Sequence, residues 1–221
     1  HLLLYTPYAW EAFTATYPHN PRRVLFQYHP HAAYERDLLR EDAERFDEFR
    51  FDDDTRPETG ENLTDFQRRR VEEVWRHADQ ILCASAFTQR TLVEAGADPD
   101  DCTVAPYGVD LPSSPSSNST CPSDFSVLFV GRGVQRKGLH HLLYAWQRAN
   151  LPSDSRLTLV CRSIQPELAA LADDTSRTTL QRGVTFETLL SLYRGHTLFA
   201  MPSLIEGFGQ VFLEAMSQGC P

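Results

Sequence analysis

The chain has 221 residues, 41% of them hydrophobic, which is enough apolar content to bury a sizeable core in one large or two modest domains. Its net charge of −9 argues against a nucleic-acid partner or a general anionic-membrane surface, because phosphate-rich partners select positive fields. Five cysteines, Cys83, Cys102, Cys121, Cys161 and Cys220, form no C-x-x-C pair, so neither a zinc ribbon nor a redox motif is suggested. Reduced structural thiols in a cytosolic protein fit best.

In chain order, His1-Leu2-Leu3-Leu4-Tyr5 is too short for a signal h-region, and no apolar run reaches the roughly 18 residues of a membrane helix. Val24 to Tyr28 reads as a buried strand, His31 to Phe46 as a charged amphipathic helix and 52–60 as a polar loop. Asp65 to His77 reads as a second helix, with Val71, Val74 and Trp75 inward. That helix carries Arg68-Arg69-Arg70 and Arg76. The run reads as a solvated face paired with Glu72 and Glu73, and at most as a peripheral contact with lipid headgroups. A strand at Gln80 to Cys83, a helix at Thr88 to Ala95 ended by Gly96 and a strand at Thr103 to Ala105 complete the first half.

The stretch 111–120 concentrates Pro and Ser and has almost no apolar content, the composition of an interdomain linker. The expected division is therefore a domain over 1–110, a linker over 111–124 and a domain over 125–221. Asn62-Leu63-Thr64 and Asn118-Ser119-Thr120 match the glycosylation pattern but need a secretory context that nothing here supplies. After the linker, strands are expected at Val127–Val130, Leu157–Cys161 and Leu198–Met201. Helices are expected at Gly138–Arg148, Pro166–Ala172, Thr188–Arg194 and Gln210–Ser217. Continuously apolar strands alternating with helices indicate an α/β class, a mostly parallel sheet covered on both faces. Two such units would face each other across a cleft. A first residue other than Met, and an end just past a helix, suggest a fragment with both domains incomplete.

Two constellations carry chemistry. Val127-Leu128-Phe129-Val130 runs into Gly131-Arg132-Gly133-Val134-Gln135-Arg136-Lys137-Gly138, a glycine-containing turn with three cations that opens into a helix. Glycine lets backbone approach a ligand, and the cations can neutralise a diphosphate that gains charge as it leaves. Lys137 is the only lysine of the chain, a compact point charge among twenty arginines. The second constellation is Pro202-Ser203-Leu204-Ile205-Glu206-Gly207-Phe208-Gly209, followed by Gln210-Val211-Phe212-Leu213-Glu214-Ala215-Met216. Glu206 precedes the helix and Glu214 lies more than a turn inside it, so their carboxylates should sit roughly 10 Å apart or more. That separation suits the two ends of one extended ligand, a ribose at one carboxylate and a hexose at the other, rather than an acid/base dyad. A solvated basic turn, and a helix-start acid beside a surface glutamate, are the plainer alternatives.

These residues, together with Ala78 to Thr88 and Val104-Ala105-Pro106-Tyr107-Gly108-Val109-Asp110, resemble the retaining glycosyltransferases of family 4, also called glycosyl transferases group 1. The resemblance covers about Val24 to Pro221. It implies the GT-B fold, two Rossmann-like doubly wound domains facing a cleft. It also implies transfer of a sugar from a nucleotide-diphosphate sugar to an acceptor hydroxyl of a glycan, lipid or small molecule, without a metal or other cofactor. Arg132 and Lys137 would grip the diphosphate, and Glu214 would accept the ribose hydroxyls. Glu206 would face the donor sugar, with backbone amides of Gly207, Phe208 and Gly209 against sugar and phosphate. Val24 to His29 resembles the family's strand ending in a histidine near the transferred sugar, which makes His29 the sugar-proximal candidate and His31 the second. The expected location is the cytosol or the inner face of its membrane. Tyr107 stands where the family commonly has Asn, Gln210 and Cys220 are atypical, and the turn between Arg182 and Glu187 is short. A GT-B nucleotide-sugar epimerase and a non-catalytic sugar-nucleotide-binding module are the competing functions; the intact set Arg132, Lys137, Glu206 and Glu214 favours an enzyme.

Overall fold

The computed structural model describes residues 1–50, 64–110 and 124–221. The expected loop over 52–60, the Pro/Ser stretch and both Asn-x-Thr matches lie outside the described residues or at their border. Contacts divide the described chain into two compact units. The first comprises His1–Glu41, 64–107 and Ile205–Phe208, and the second 42–50, 108–110, 124–204 and Gly209–Pro221. Segments 42–50 and 108–110 belong to the second unit, and Ile205–Phe208 to the first.

The first unit holds β1 (Leu2–Tyr5), α1 (Trp10–Thr14), β2 (Arg23–Gln27) and most of α2 (Ala32–Ala43), then α3 (Asp65–Glu73), β3 (Gln80–Cys83), α4 (Ala86–Glu94) and β4 (Cys102–Val104). Its sheet is parallel throughout, in the order β1-β2-β3-β4. The sequence hides β1 because it is an edge strand: its residues alternate between half-buried and exposed, so Leu2-Leu3-Leu4 lacks the context of a buried run. The expected helix over 65–77 stops being α-helical at Glu73. Val74–His77 is a 3₁₀ turn that buries Val74 and Trp75. α4 starts two residues earlier than expected because Ser85, not a residue nearer Thr88, is the cap; its hydroxyl accepts the Thr88 amide at 3.1 Å.

Two arginines of the run pair with carboxylates other than those expected. Arg68 pairs with Asp65 at 3.2 Å and Arg70 pairs with Glu11, while Glu72 is taken by Arg36. Tertiary neighbours on α1 and α2 displace most of the within-helix pairings. Such half-exposed pairs contribute about 0–1 kcal/mol each.

In the second unit the alternation is regular: β5 (Ser126–Val130), α5 (Leu139–Arg148), β6 (Arg156–Val160), α6 (Pro166–Asp174), β7 (Thr178–Gln181), α7 (Phe186–Arg194), β8 (Leu198–Phe199) and α8 (Gln210–Ser217). Every residue of β5 is buried, as expected of a central parallel strand. The order is β7-β6-β5-β8, all parallel, so the chain winds outward from β5 in one direction and then returns to add β8 on its other side. β7 is a second edge strand, Thr178-Thr179-Leu180-Gln181, without an apolar run, and no element was expected there. The described cysteines are free and buried, and burial pushes the Cys83 and Cys161 thiols up to about 12, the behaviour of packing residues rather than nucleophiles.

Candidate functional site

In an open parallel sheet, ligands bind outside the carboxyl ends of the strands where the strand order reverses. In the second unit that place is between β5 and β8, and both sequence constellations leave from it: 131–138 follows β5 and 200–209 follows β8. The two loops are packed together by glycines. Gly138 ends a 3₁₀ turn (Gln135–Lys137) in the left-handed region at φ 65°, and a Cβ there would sit 1.9 Å from the Pro202 carbonyl oxygen. A Cβ on Gly133 would meet Ile164 at 2.4 Å. The Leu204 amide donates to the Arg136 carbonyl at 2.9 Å, which fixes one loop on the other.

This packing presents Arg132 on an exposed turn, with Arg136 and Lys137 half-buried behind it. Gly209, at φ 70°, caps α8 and leaves the first amides of that helix without intrahelical partners, as anion-binding helix starts require. Glu214 is half-buried on α8, and the fully buried Tyr193 of α7 donates its hydroxyl to Glu214 Oε2 at 3.2 Å. Burial, with Glu214 beside it, holds the Tyr193 phenol well above its usual range, so it remains a donor at any ordinary pH. Tyr193 went unnoticed in the sequence because an aromatic at helical spacing reads as core.

The first unit contains Glu206, Gly207, Phe208 and His29. Here too a glycine sets the approach. A Cβ on Gly207 would lie 1.8 Å from the Tyr28 carbonyl oxygen and 3.2 Å from the His29 Cα, and the Gly207 carbonyl accepts from the Thr88 hydroxyl at 3.3 Å. The Glu206–Phe208 segment is thereby laid along the Tyr28-His29 backbone just past β2. Of the two histidine candidates, His29 lines a cavity of about 180 Å³ with Thr6, Gln27, Tyr28 and Glu35. His31 is buried and turned elsewhere, its Nε2 bonded to the Glu72 carbonyl at 2.9 Å and its amide donating to the Thr91 hydroxyl at 3.0 Å, which makes it a packing residue.

The atypical residues have local reasons. Tyr107 packs edge-on against Phe208 and Phe26, with ring centroids 5.5 and 5.7 Å apart, a contact that Asn could not make. Gln210 donates to the Gly108 carbonyl at 3.4 Å, and Cys220 is buried with its thiol toward the His196 carbonyl at 3.5 Å. Glu206 belongs to the first unit and Glu214 to the second.

Comparison with known proteins bears on the same residues. Residues 124–221 match the model of the family Glycosyl transferases group 1. The chain is 30% identical over 165 residues to the D-inositol 3-phosphate glycosyltransferase of Nocardia farcinica, an alignment covering 65% of this chain and 37% of that protein. It is 27% identical over 146 residues to the MMP alpha-(1->4)-mannosyltransferase of Mycolicibacterium hassiacum, covering 64% and 35%. The chain thus spans little more than a third of the curated relatives it matches. Among solved structures, sucrose-phosphate synthase from Thermosynechococcus elongatus superposes with a TM-score of 0.69 at 22% identity, over 99% of this chain and 54% of that one. Anabaena HepE in complex with UDP and glucose superposes with a TM-score of 0.60 at 21% identity, over 90% and 58%. Residues 124–221 are therefore similar to the Glycosyl transferases group 1 family, and the chain that carries them has the GT-B type of α/β fold.

Proposed function

We propose that the chain is the catalytic part of a retaining glycosyltransferase of family 4, moving a sugar from a nucleotide-diphosphate donor to a hydroxyl of a carbohydrate or lipid acceptor. The observation that carries this reading is the convergence, at the reversal between β5 and β8, of a glycine-packed cationic turn and a helix start followed by a tyrosine-held glutamate. Diphosphate leaving from a sugar gains charge, and Arg132, Lys137 and the amides opening α8 are the groups in this unit suited to stabilise it. They would do the work that a magnesium ion does in other transferases. Glu214, fixed by Tyr193, accepts a pair of ribose hydroxyls.

In the first unit, Glu206 and His29 would face the transferred sugar and the incoming hydroxyl, with the nearby cavity taking part of the acceptor. The proposed path, the one the family resemblance implies, is attack on the same face that the phosphate leaves, with a phosphate oxygen taking the proton. HepE, structurally similar, is known with UDP and glucose, which supports a nucleotide-sugar donor here. Among the described residues no helix is long and apolar enough to cross a membrane; a cytoplasmic enzyme, working free or at the membrane's inner face, is the proposed setting.

The test is a donor-consumption assay on the purified protein with UDP-, GDP- and ADP-sugars. Lys137→Ala and Glu214→Ala are each expected to lower turnover at least about tenfold, equivalent to about 1.4 kcal/mol of transition-state stabilisation. Unchanged turnover in both variants removes the donor site from these loops. Saturable donor binding with no transfer or hydrolysis would instead favour a sugar-nucleotide-binding module.

A further inference from the structure

The second unit holds a group of side chains that the proposed transfer does not use. Asp42, near the end of α2, is buried and faces three side-chain nitrogens: His140 Nε2 lies 3.1 Å from its Oδ2, His141 Nε2 2.8 Å from its Oδ1, and Gln135 Nε2 donates to Oδ2 at 2.8 Å. His140 and His141 are consecutive residues in the first turn of α5, where neighbouring side chains normally diverge by about 100°. Here both rings bend to one carboxylate, with centroids 4.1 Å apart, and the three candidate ligand atoms lie within 4.8 Å of one another.

We propose that Asp42, His140 and His141 form a binding site for one divalent transition-metal ion of the zinc type, with Gln135 as the residue that orients the carboxylate. Two imidazole nitrogens and one carboxylate oxygen are a borderline donor set that zinc favours and that magnesium or calcium does not. Tetrahedral zinc with bonds of about 2.0–2.1 Å keeps its donors roughly 3.4 Å apart, close to the 3.1 and 2.8 Å at which the two imidazoles approach the two oxygens of the Asp42 carboxylate. A second feature points the same way. The Nδ1 of the fully buried His140 has no hydrogen-bond partner, and the rings of Phe46 and Phe49 flank it at 5.1 and 5.3 Å. Aromatic π clouds accept an N–H more readily than they take a lone pair, which suits the tautomer with the proton on Nδ1 and the Nε2 lone pair free for a metal.

The fourth position can be solvent. A cavity of about 470 Å³ lined by Arg45, Phe46, Glu48, His141 and Tyr144 reaches the exposed side of His141. The ion would have no part in sugar transfer. Gln135 opens the 3₁₀ turn that ends in Lys137 and Gly138, so a metal held by Asp42 and the start of α5 would brace that turn from behind. The role is structural.

The experiment uses the chelator-stripped, purified protein, titrated with Zn²⁺ by calorimetry and with Co²⁺ by visible absorption. One equivalent of Zn²⁺ is expected to bind saturably and raise the melting temperature, and Co²⁺ should give the d–d bands of a four-coordinate nitrogen/oxygen site. Asp42→Asn and His141→Ala should each weaken binding at least about tenfold, and Gln135→Leu about tenfold, as partners of metal ligands do. His141 is only half-buried, so its variant keeps the core intact even if Asp42→Asn is destabilised. The absence of one-equivalent binding, an equal response to Mg²⁺, or undiminished affinity in His141→Ala would each overturn the site and assign the three residues a purely hydrogen-bonded role.

Discussion

The two units reach their candidate sites by different routes. In the second, the strand order reverses between β5 and β8, and the topology alone selects the place where loops 131–138 and 200–209 must meet. In the first, the described strands run β1-β2-β3-β4 without a reversal, so nothing in the sheet singles out a site. There the candidate region is set by one loop contact, Gly207 against the backbone of Tyr28 and His29. Both arrangements depend on a missing Cβ, at Gly138 in the second unit and at Gly207 in the first.

The largest effects should come from the glycines that hold each arrangement. Gly138→Ala adds a Cβ 1.9 Å from the Pro202 carbonyl oxygen at a left-handed φ, whereas Gly183, at φ 66°, has nothing within 4 Å of the same position. Gly183→Ala should therefore cost only the left-handed strain of about 1–2 kcal/mol, and Gly138→Ala several kcal/mol more, read from urea midpoints. Equal losses would show that the two loops are not locked together. For the first unit, Gly207→Ala is expected to displace Glu206–Phe208 and lower turnover about a hundredfold, the usual consequence of misplacing a reacting group by an ångström. Full activity in that variant would break the contact-site description.

The histidines come next and separate the two kinds of residue within one unit. His29→Ala should lower turnover about tenfold with its melting temperature kept. His31→Ala should do the reverse, losing about 1–2 kcal/mol of stability as the buried ring and its bond to the Glu72 carbonyl go, the Trp75 indole N–H remaining on that oxygen. Matching effects of the two variants would erase the distinction. The smallest change is Tyr193→Phe, which removes the hydroxyl held by Glu214 and should weaken donor binding by about fivefold, about 1 kcal/mol; calorimetry with the donor measures it.

Much of the second unit was legible because its signals are local. The continuous apolar run of β5, the glycines of the turn and the pattern of α8 each announce their structure within a dozen residues. Edge strand β7 was not legible because Thr178-Thr179-Leu180-Gln181 has no apolar run, and β1 because four apolar residues do not by themselves distinguish a strand. The pairing of β8 with β5 could not be read either; it is a long-range choice made by packing. The same limit hid Tyr193 beside Glu214 and Asp42 beside His140, partners 21 and 98 residues apart in sequence. The doublet His140-His141 was visible in the sequence, but only the fold reveals which carboxylate it serves. The mistaken pairing of the arginine run has the same origin: within-helix rules yielded to Glu11 and Arg36 from neighbouring helices.

The central claim is that the loops after β5 and β8 form a nucleotide-sugar site. It is tested most directly by the melting temperature of the purified protein as UDP-, GDP- and ADP-sugars are added, beside the same titrations of Lys137→Ala. A donor at a hundred times its Kd should stabilise the wild type by about 2.7 kcal/mol, and the variant should show little or none of this at the same concentration. No stabilisation by any of the three donors, or an equal shift in the variant, would contradict the assignment.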